Sequence, residues 1–449
     1  MTEQGSVLNR PNGEANGTLG GRLRAARVAR RMTQRVLAAG TLSVGFISML
    51  EHDKVRPSLE TLETLAQRLR LPLGYFTVTR HPGVELEAAI QEGEGYVRQL
   101  HFTEALEVFS TVDGLANESE DVRLRVRYLL GLGRALTGIR QFALAEGHLR
   151  RAGELAEVDG SVDLIGATAY ELGLWEFGSR RFLEARATAQ DGLTRLRAAG
   201  TQNPKILGKI LLLLGRVYLE LGLPAQALEY YQQATEHIER AADPIIQGLL
   251  EFNMGIAYRR QQAFGLAQQH LERASNCFAV QENLHLLSAV KRSVGNLQLA
   301  RGEVEDAIGS LEESLRLARQ VCHDDGIAQA LFQVARARLK QGLIASARSA
   351  AAEALALAAR IADPAAKADA EAVLAEVAST EGRLTEAIAR FKSAIATFER
   401  LSMHSDLARA YRDLGFVYMK QRQAAAAASC FSRVFELRAL IVPLREEST

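Results

Sequence analysis

Between Leu19 and Arg80 the chain sets Arg22, Arg24, Arg27, Arg30, Arg31, Arg35, Lys54, Arg56, Arg68, Arg70 and Arg80 against Glu51, Asp53, Glu60 and Glu63. Eleven cations against four anions leave a local excess of +7 in a chain whose net charge is +1. The first eighteen residues carry −1, so the remainder is close to −5. Guanidinium and ammonium groups gathered this way neutralise phosphate, and a small basic head on a mildly acidic body is the footprint of a DNA reader joined to something else. The other reactive side chains form no such gathering. Cys277, Cys322 and Cys430 are far apart and include no CxxC. His81, His101, His148, His237, His270, His285, His323 and His404 are scattered, without the spacing a metal needs. The one local concentration, Cys322-His323-Asp324-Asp325, reads as an inter-helix turn, because four successive residues cannot all face one ion. No cofactor, metal or catalytic constellation is therefore expected. No apolar run is long enough to span a bilayer and no signal peptide is evident, so a cytoplasmic location is expected.

The elements that would position the basic residues are short helices. Thr33 is an N-cap, followed by Leu37 and Ala38 on an inward face. Gly40-Thr41-Leu42 break the pattern. Ser43 then caps a second helix with Phe46, Ile47 and Leu50 as its buried stripe, closed by Glu51 and the polar exit His52 to Pro57. A first helix is predicted over 19–31, a fourth over 58–69 behind the N-cap Ser58, and a short fifth over 73–76. A pair of short helices of this kind can lay the second in a major groove while the first steadies it on the backbone. With Leu19-Gly20, Leu23-Arg24, Arg27, Thr33-Gln34, Leu37-Ala38, Ile47-Ser48, Leu50-Glu51, Lys54, Pro57-Ser58-Leu59, Leu62, Ala66 and Leu69, the stretch resembles the helix-turn-helix domain of bacterial repressors typified by phage repressors and Cro, the XRE type.

That resemblance implies which residues meet DNA. Ser43, Val44, Gly45, Ser48 and Met49 take the positions facing base edges. Gln34, with Arg35 beside it, starts the preceding helix, and Lys54 and Arg56 lie in the loop that touches the backbone. The reading face is poor in polar groups. Val44 and Met49 can meet thymine methyls and Ser48 either kind of edge, while DNA shape supplies the rest. Asp53 stands where the family favours glycine; Asp tolerates a left-handed backbone better than most residues.

Behind the head the chain repeats itself. Ala105, Ala145, Ala185, Ala227, Ala267, Ala307, Ala347, Ala387 and Ala427 recur every 40 residues, once 42. Twelve before each stands a small residue: Gly93, Gly133, Gly173, Gly215, Gly255, Gly295, Ala335, Ala375 and Gly415. Four after stand Phe109, Leu149, Ala189, Tyr231, Leu271, Leu311, Ala351, Phe391 and Phe431. The small residue lets a neighbouring helix approach and the large one fills the gap beside it. Asn203-Pro204, Asp243-Pro244 and Asp363-Pro364 read as N-cap followed by proline at the first helical position. Gly222, Gly302, Gly342 and Gly382 mark where first helices end. With Tyr96, Tyr218, Tyr258 and Tyr418 three after the small residue, the units resemble a long variant of the tetratricopeptide family. The predicted fold is all-α: a five-helix head joined to a right-handed superhelical array of about nine helix pairs. The expected boundaries are a mobile tail at 1–18, the head at 19–76, a linker at 77–84, the array at 85–440 and a tail at 441–449.

In such arrays the first helix of each pair lines the concave face. Its predicted groove residues are Arg127, Arg134, Lys209, Arg216, Asn253, Arg259, Arg292, Asn296, Gln333 and Arg336, with Gln329 and Arg409 beside them and Glu171 and Asp413 opposing. Amides suit a peptide backbone and Arg its carboxylates. A head followed by such an array resembles the peptide-pheromone-responsive regulators of Gram-positive bacteria. The resemblance implies a homodimeric transcription regulator that binds double-stranded DNA and takes a peptide, or a small anionic effector, in its groove. A protein-interaction scaffold tethered to DNA is the alternative from another class.

Overall fold

Hydroxyls start three of the four head helices. The computed structural model describes residues 19–40, 42–69, 71, 76, 82–201 and 203–441. The expected tail at 1–18, the fifth helix apart from Phe76, linker residues 77–81 and the tail beyond 441 lie outside the described residues. Two compact bodies, Met1–Gly131 and Leu132–Thr449, divide the chain within the helix Val122–Gly138. Among the described residues there are helices and no strand.

In the first body the head forms α1 (Leu19–Ala29), α2 (Gln34–Ala38), α3 (Val44–Glu51) and α4 (Leu59–Leu69). Thr33 Oγ1 accepts from the Val36 amide at 3.2 Å, Ser43 Oγ from Phe46 at 3.1 Å and Ser58 Oγ from Thr61 at 3.2 Å, as the sequence predicts. α1 stops two residues short of the expected Arg31, which turns to φ +53°. Leu23, Leu37, Ile47, Leu50, Leu65 and Leu69 are each at most 1% exposed and hold the four helices on one core. Asp53 does adopt the left-handed backbone, φ +54°, and its Oδ1 accepts from the Gly20 amide at 2.8 Å, tying the loop after α3 to the first turn of α1. Gly20 is needed there, because a β-carbon would collide with the Leu50 carbonyl oxygen.

The first repeat begins earlier than expected. Pro82 and Gly83, assigned to the linker, open the helix Pro82–Arg98, where a proline's missing N–H is harmless. Its partner helix is interrupted, Phe102–Thr111 and then Asp113–Glu118, and Tyr128 donates to Asp113 at 2.8 Å across the break.

From Val122 onward the described residues form eight helix pairs. The first helices are Val122–Gly138, Val162–Gly178, Pro204–Glu220, Pro244–Arg260, Leu284–Arg301, Asp324–Lys340, Pro364–Thr380 and His404–Lys420, and a second helix follows each. With Pro82–Arg98 and its partner these make repeats one to nine. Asn203, Asp243 and Asp363 cap as predicted, Asp363 accepting from Ala365 at 2.8 Å and Ala366 at 3.3 Å. Gly222, Gly302, Gly342 and Gly382 lie at φ +79° to +87°. Cys322 lies in a turn at φ +51°, and His323 Nδ1 caps the next helix by accepting from Gly326 at 3.0 Å.

The small-large pairing also holds. A β-carbon built on Gly133 would lie 2.6 Å from Leu149, on Gly255 2.8 Å from Leu271 and on Gly295 2.6 Å from Leu311. Repeat three departs: Ala189 is too small, and Leu213 of the next repeat fills the space at Gly173, 2.8 Å away. At Gly215 the filler is Tyr231, whose ring is fully buried and whose hydroxyl has no hydrogen-bond partner among the described residues. An unpaired buried hydroxyl is destabilising. Tyr231→Phe is therefore expected to stabilise the array by up to about 1 kcal/mol, read as a higher Tm in a thermal melt.

Candidate nucleic-acid interface and inner face of the array

The head presents one face of α3. Ile47 and Leu50 point inward, leaving Val44 at 43% exposure, Met49 at 41%, Gly45 exposed and Ser48 half-buried. Ser43 is exposed, with its oxygen committed to the cap. Arg35, Lys54 and Arg56 are exposed, and their side chains make no hydrogen bond or ion pair among the described residues. The surface is a largely apolar strip with exposed cations before and after it in sequence. Such a surface can offer cations to a phosphate and apolar contact to a base edge.

Gln34 is placed differently from expectation. Its amide donates to Glu51 Oε2 at 2.7 Å, inside the head. Glu51 is the last residue of α3, and Arg27 of α1 grips it from Nε at 2.5 Å and Nη2 at 2.9 Å. Burial works to raise the Glu51 carboxyl. The hydrogen bonds from Arg27 and Gln34 outweigh that and hold it below the usual range. Gln34 thus links the start of α2 to the end of α3 through Glu51. His52, which sequence reasoning passed over, is exposed beside α3, its Nδ1 2.7 Å from the Ser48 carbonyl oxygen.

On the array, side-chain partners sort the predicted groove residues. Arg127, in the first body, is bound to Glu94 at 3.0 Å and lies 3.8 Å from Glu87. In the second body Arg134 faces Glu171 at 3.9 Å, Arg336 faces Glu376 at 4.0 Å, and Arg409 holds Asp406 at 2.7 Å and Asp369 at 3.3 Å. Burial, with Asp406 beside it, pushes the Asp369 carboxyl up. Each of these arginines therefore meets a carboxylate of an adjoining repeat, and Glu171 is the opposing acid that the sequence names. Asn253 is 8% exposed and its amide donates to Leu249 of its own helix at 2.6 Å, so it too is less available than expected. Asn296 and Gln333 are half-buried. Lys209, Arg216, Arg259 and Arg292 have no carboxylate partner among the described residues. Lys209 Nζ lies 5.0 Å from the ring centroid of Tyr170, and the Arg216 guanidinium 4.4 Å from that of Phe177.

One contact carried no sequence signal. Arg140, at φ +65° in the turn closing repeat two's first helix, donates from Nη1 to Asp363 Oδ2 at 2.6 Å, bridging 223 residues to the start of repeat eight. A cavity of about 330 Å³ lined in part by Gln268, Glu272, Gln298 and Asp306 lies off this face, between the repeat-five second helix Phe264–Val280 and repeat six.

Residues 23–76 match the family model for the helix-turn-helix, and residues 206–280 match a model for the tetratricopeptide repeat. The chain carries a helix-turn-helix domain and tetratricopeptide repeats. Neither matched family is an enzyme family. No curated protein matches the chain. Among solved structures, a Rap protein complexed with competence and sporulation factor aligns at TM-score 0.65 and 16% identity, over 80% of this chain and 99% of its own. The apo quorum sensor NprR from B. thuringiensis aligns at 0.57 and 14%, over 79% and 99%. The Rap conjugation gene regulator of plasmid pLS20, in complex with the Phr* peptide, aligns at 0.56 and 14%, over 80% and 97%. At these identities the likeness is one of fold. No described helix is long and apolar enough to cross a membrane.

Proposed function

We propose that this chain is a cytoplasmic transcription regulator. Residues 19–76 bind double-stranded DNA as part of a homodimer, and the array over 85–440 takes a peptide or small anionic effector on its inner face. The observation that carries the DNA half is the exposed strip of α3 flanked by the unpaired Arg35, Lys54 and Arg56. The sensing half is supported by the unpaired cations of the first helices and by structural neighbours described as a quorum sensor and as a regulator in complex with a peptide. Coupling requires the effector to bind two states of the array unequally.

The test is a selection of bound genomic fragments by the full chain, repeated with and without cell extract. A shared sequence that changes in occupancy with extract supports the reading, and fragments bound without any shared sequence count against it. Within the head, Arg56→Ala is expected to weaken binding to every duplex alike and to lower the salt slope by about one. Gel-shift titrations at several salt concentrations check this, and a loss confined to one operator base contradicts the backbone role.

A further inference from the structure

The inward charges of the second body are distributed unevenly. At one end Arg134 meets Glu171, and at the other Arg336 meets Glu376 while Arg409 meets Asp369 and Asp406. Between them, on the first helices of repeats four to six, stand Lys209, Arg216, Arg259 and Arg292, none in an ion pair. Counted from the small residue of each repeat at about 100° per position, these four fall within an arc of about 80° on the same helix face. Glu220, the acid nearest in sequence to Arg216, is taken by Arg260 at 3.0 Å. Arg259 Nε is buried with no hydrogen-bond partner among the described residues. Burial alone pulls the Arg292 guanidinium down to about 10. Asn296 adds an amide to this face, half-buried and one helical turn beyond Arg292.

Cations held half-buried without counter-charge are unfavourable, and a carboxylate that reaches them forms charge-assisted hydrogen bonds. Tyr170 and Phe177 fix Lys209 and Arg216 against aromatic faces, so little side-chain freedom is left to lose when an anion arrives.

We infer that repeats four to six select an acidic peptide, one carrying at least two carboxylates, and that Lys209, Arg216, Arg259 and Arg292 are the residues that select it. This rests on the reading that the inner face is the effector site, and it goes further by fixing the ligand's charge and the repeats that read it. The internally paired ends carry no such demand.

The full chain is incubated with an equal mixture of random heptapeptides, bound peptides are recovered by rapid gel filtration, and their composition is read by mass spectrometry. Peptides with two or more Asp or Glu are expected to be enriched about tenfold over uncharged ones, the ratio that roughly one charge-assisted contact supplies. The double variant Arg216→Gln/Arg292→Gln is expected to lose the enrichment. Arg240→Gln/Arg400→Gln, which removes the same charge from exposed second-helix positions, is expected to keep it. Retained peptides of neutral or basic composition overturn the inference and leave the groove reading standing. No retained peptide, together with no change of Tm in glutarate, overturns both. A Tm raised by glutarate in the wild type but not in Arg216→Gln/Arg292→Gln, with no peptide retained, points to a free dicarboxylate and overturns the peptide assignment.

Discussion

Glu51→Ala is expected to unfold the head. The Glu51 side chain is 1% exposed and that of Arg27 13%, and removing one member of a buried pair leaves the other charged and unpaired, at about 3–5 kcal/mol. Gln34 loses its acceptor in the same stroke. A domain of this size has little stability to spare. Hydrogen exchange is expected to show residues 19–69 unprotected and gel shifts to show no DNA binding, while the array still melts at the wild-type temperature. Protected head amides in the variant would contradict the buried-pair account. The same pair sets an acid limit. Because the folded carboxyl lies below its ordinary 4.5, its contribution is complete above that value and is lost as pH falls through the lowered one. The wild-type head is therefore expected to lose protection in acid. Glu51→Gln, with no carboxyl to titrate, is expected to lack this component.

The second large effect concerns one substitution made at two places. Gly215→Ala is expected to destabilise the array by about 1–3 kcal/mol, because the new methyl lands in the fully buried Tyr231 ring, which has nowhere to move. Gly147→Ala, in the interior of the helix Phe142–Asp159, meets nothing within 4 Å and is expected to stabilise by about 0.5–1 kcal/mol through lower chain entropy. Paired thermal melts decide it. Equal shifts of the same sign would mean that the glycine follows helix propensity rather than the approach of the neighbouring helix.

Much of the array was legible in sequence because its causes are local and recur. An Asn or Asp before proline must cap, a glycine five before the anchor must turn, and a small residue twelve before it must face something large. Repeat three shows the limit, since Leu213 rescues a gap that its own repeat leaves open. The head was legible in its caps and core. The role of Gln34 was not, because its partner Glu51 lies in another helix and only packing brings them together. On the first helices of the array, most side-chain pairings went unread, although the repeat itself carries two of them. Arg336 and Glu376, like Asp369 and Arg409, occupy the same place in successive repeats, so the 40-residue period already placed each cation beside an anion. The four cations that remain stand out only once those pairs are removed.

The bridge from Arg140 to Asp363 joins turns six repeats apart. An exposed arginine contributes little energy of its own to such a bridge. Its value is as a gauge. Any guest that spreads repeats three to seven must part the two turns and break the contact. A donor dye beside residue 140 and an acceptor beside residue 363 would therefore register filling of the array in a single molecule, with no DNA present and before any promoter has responded.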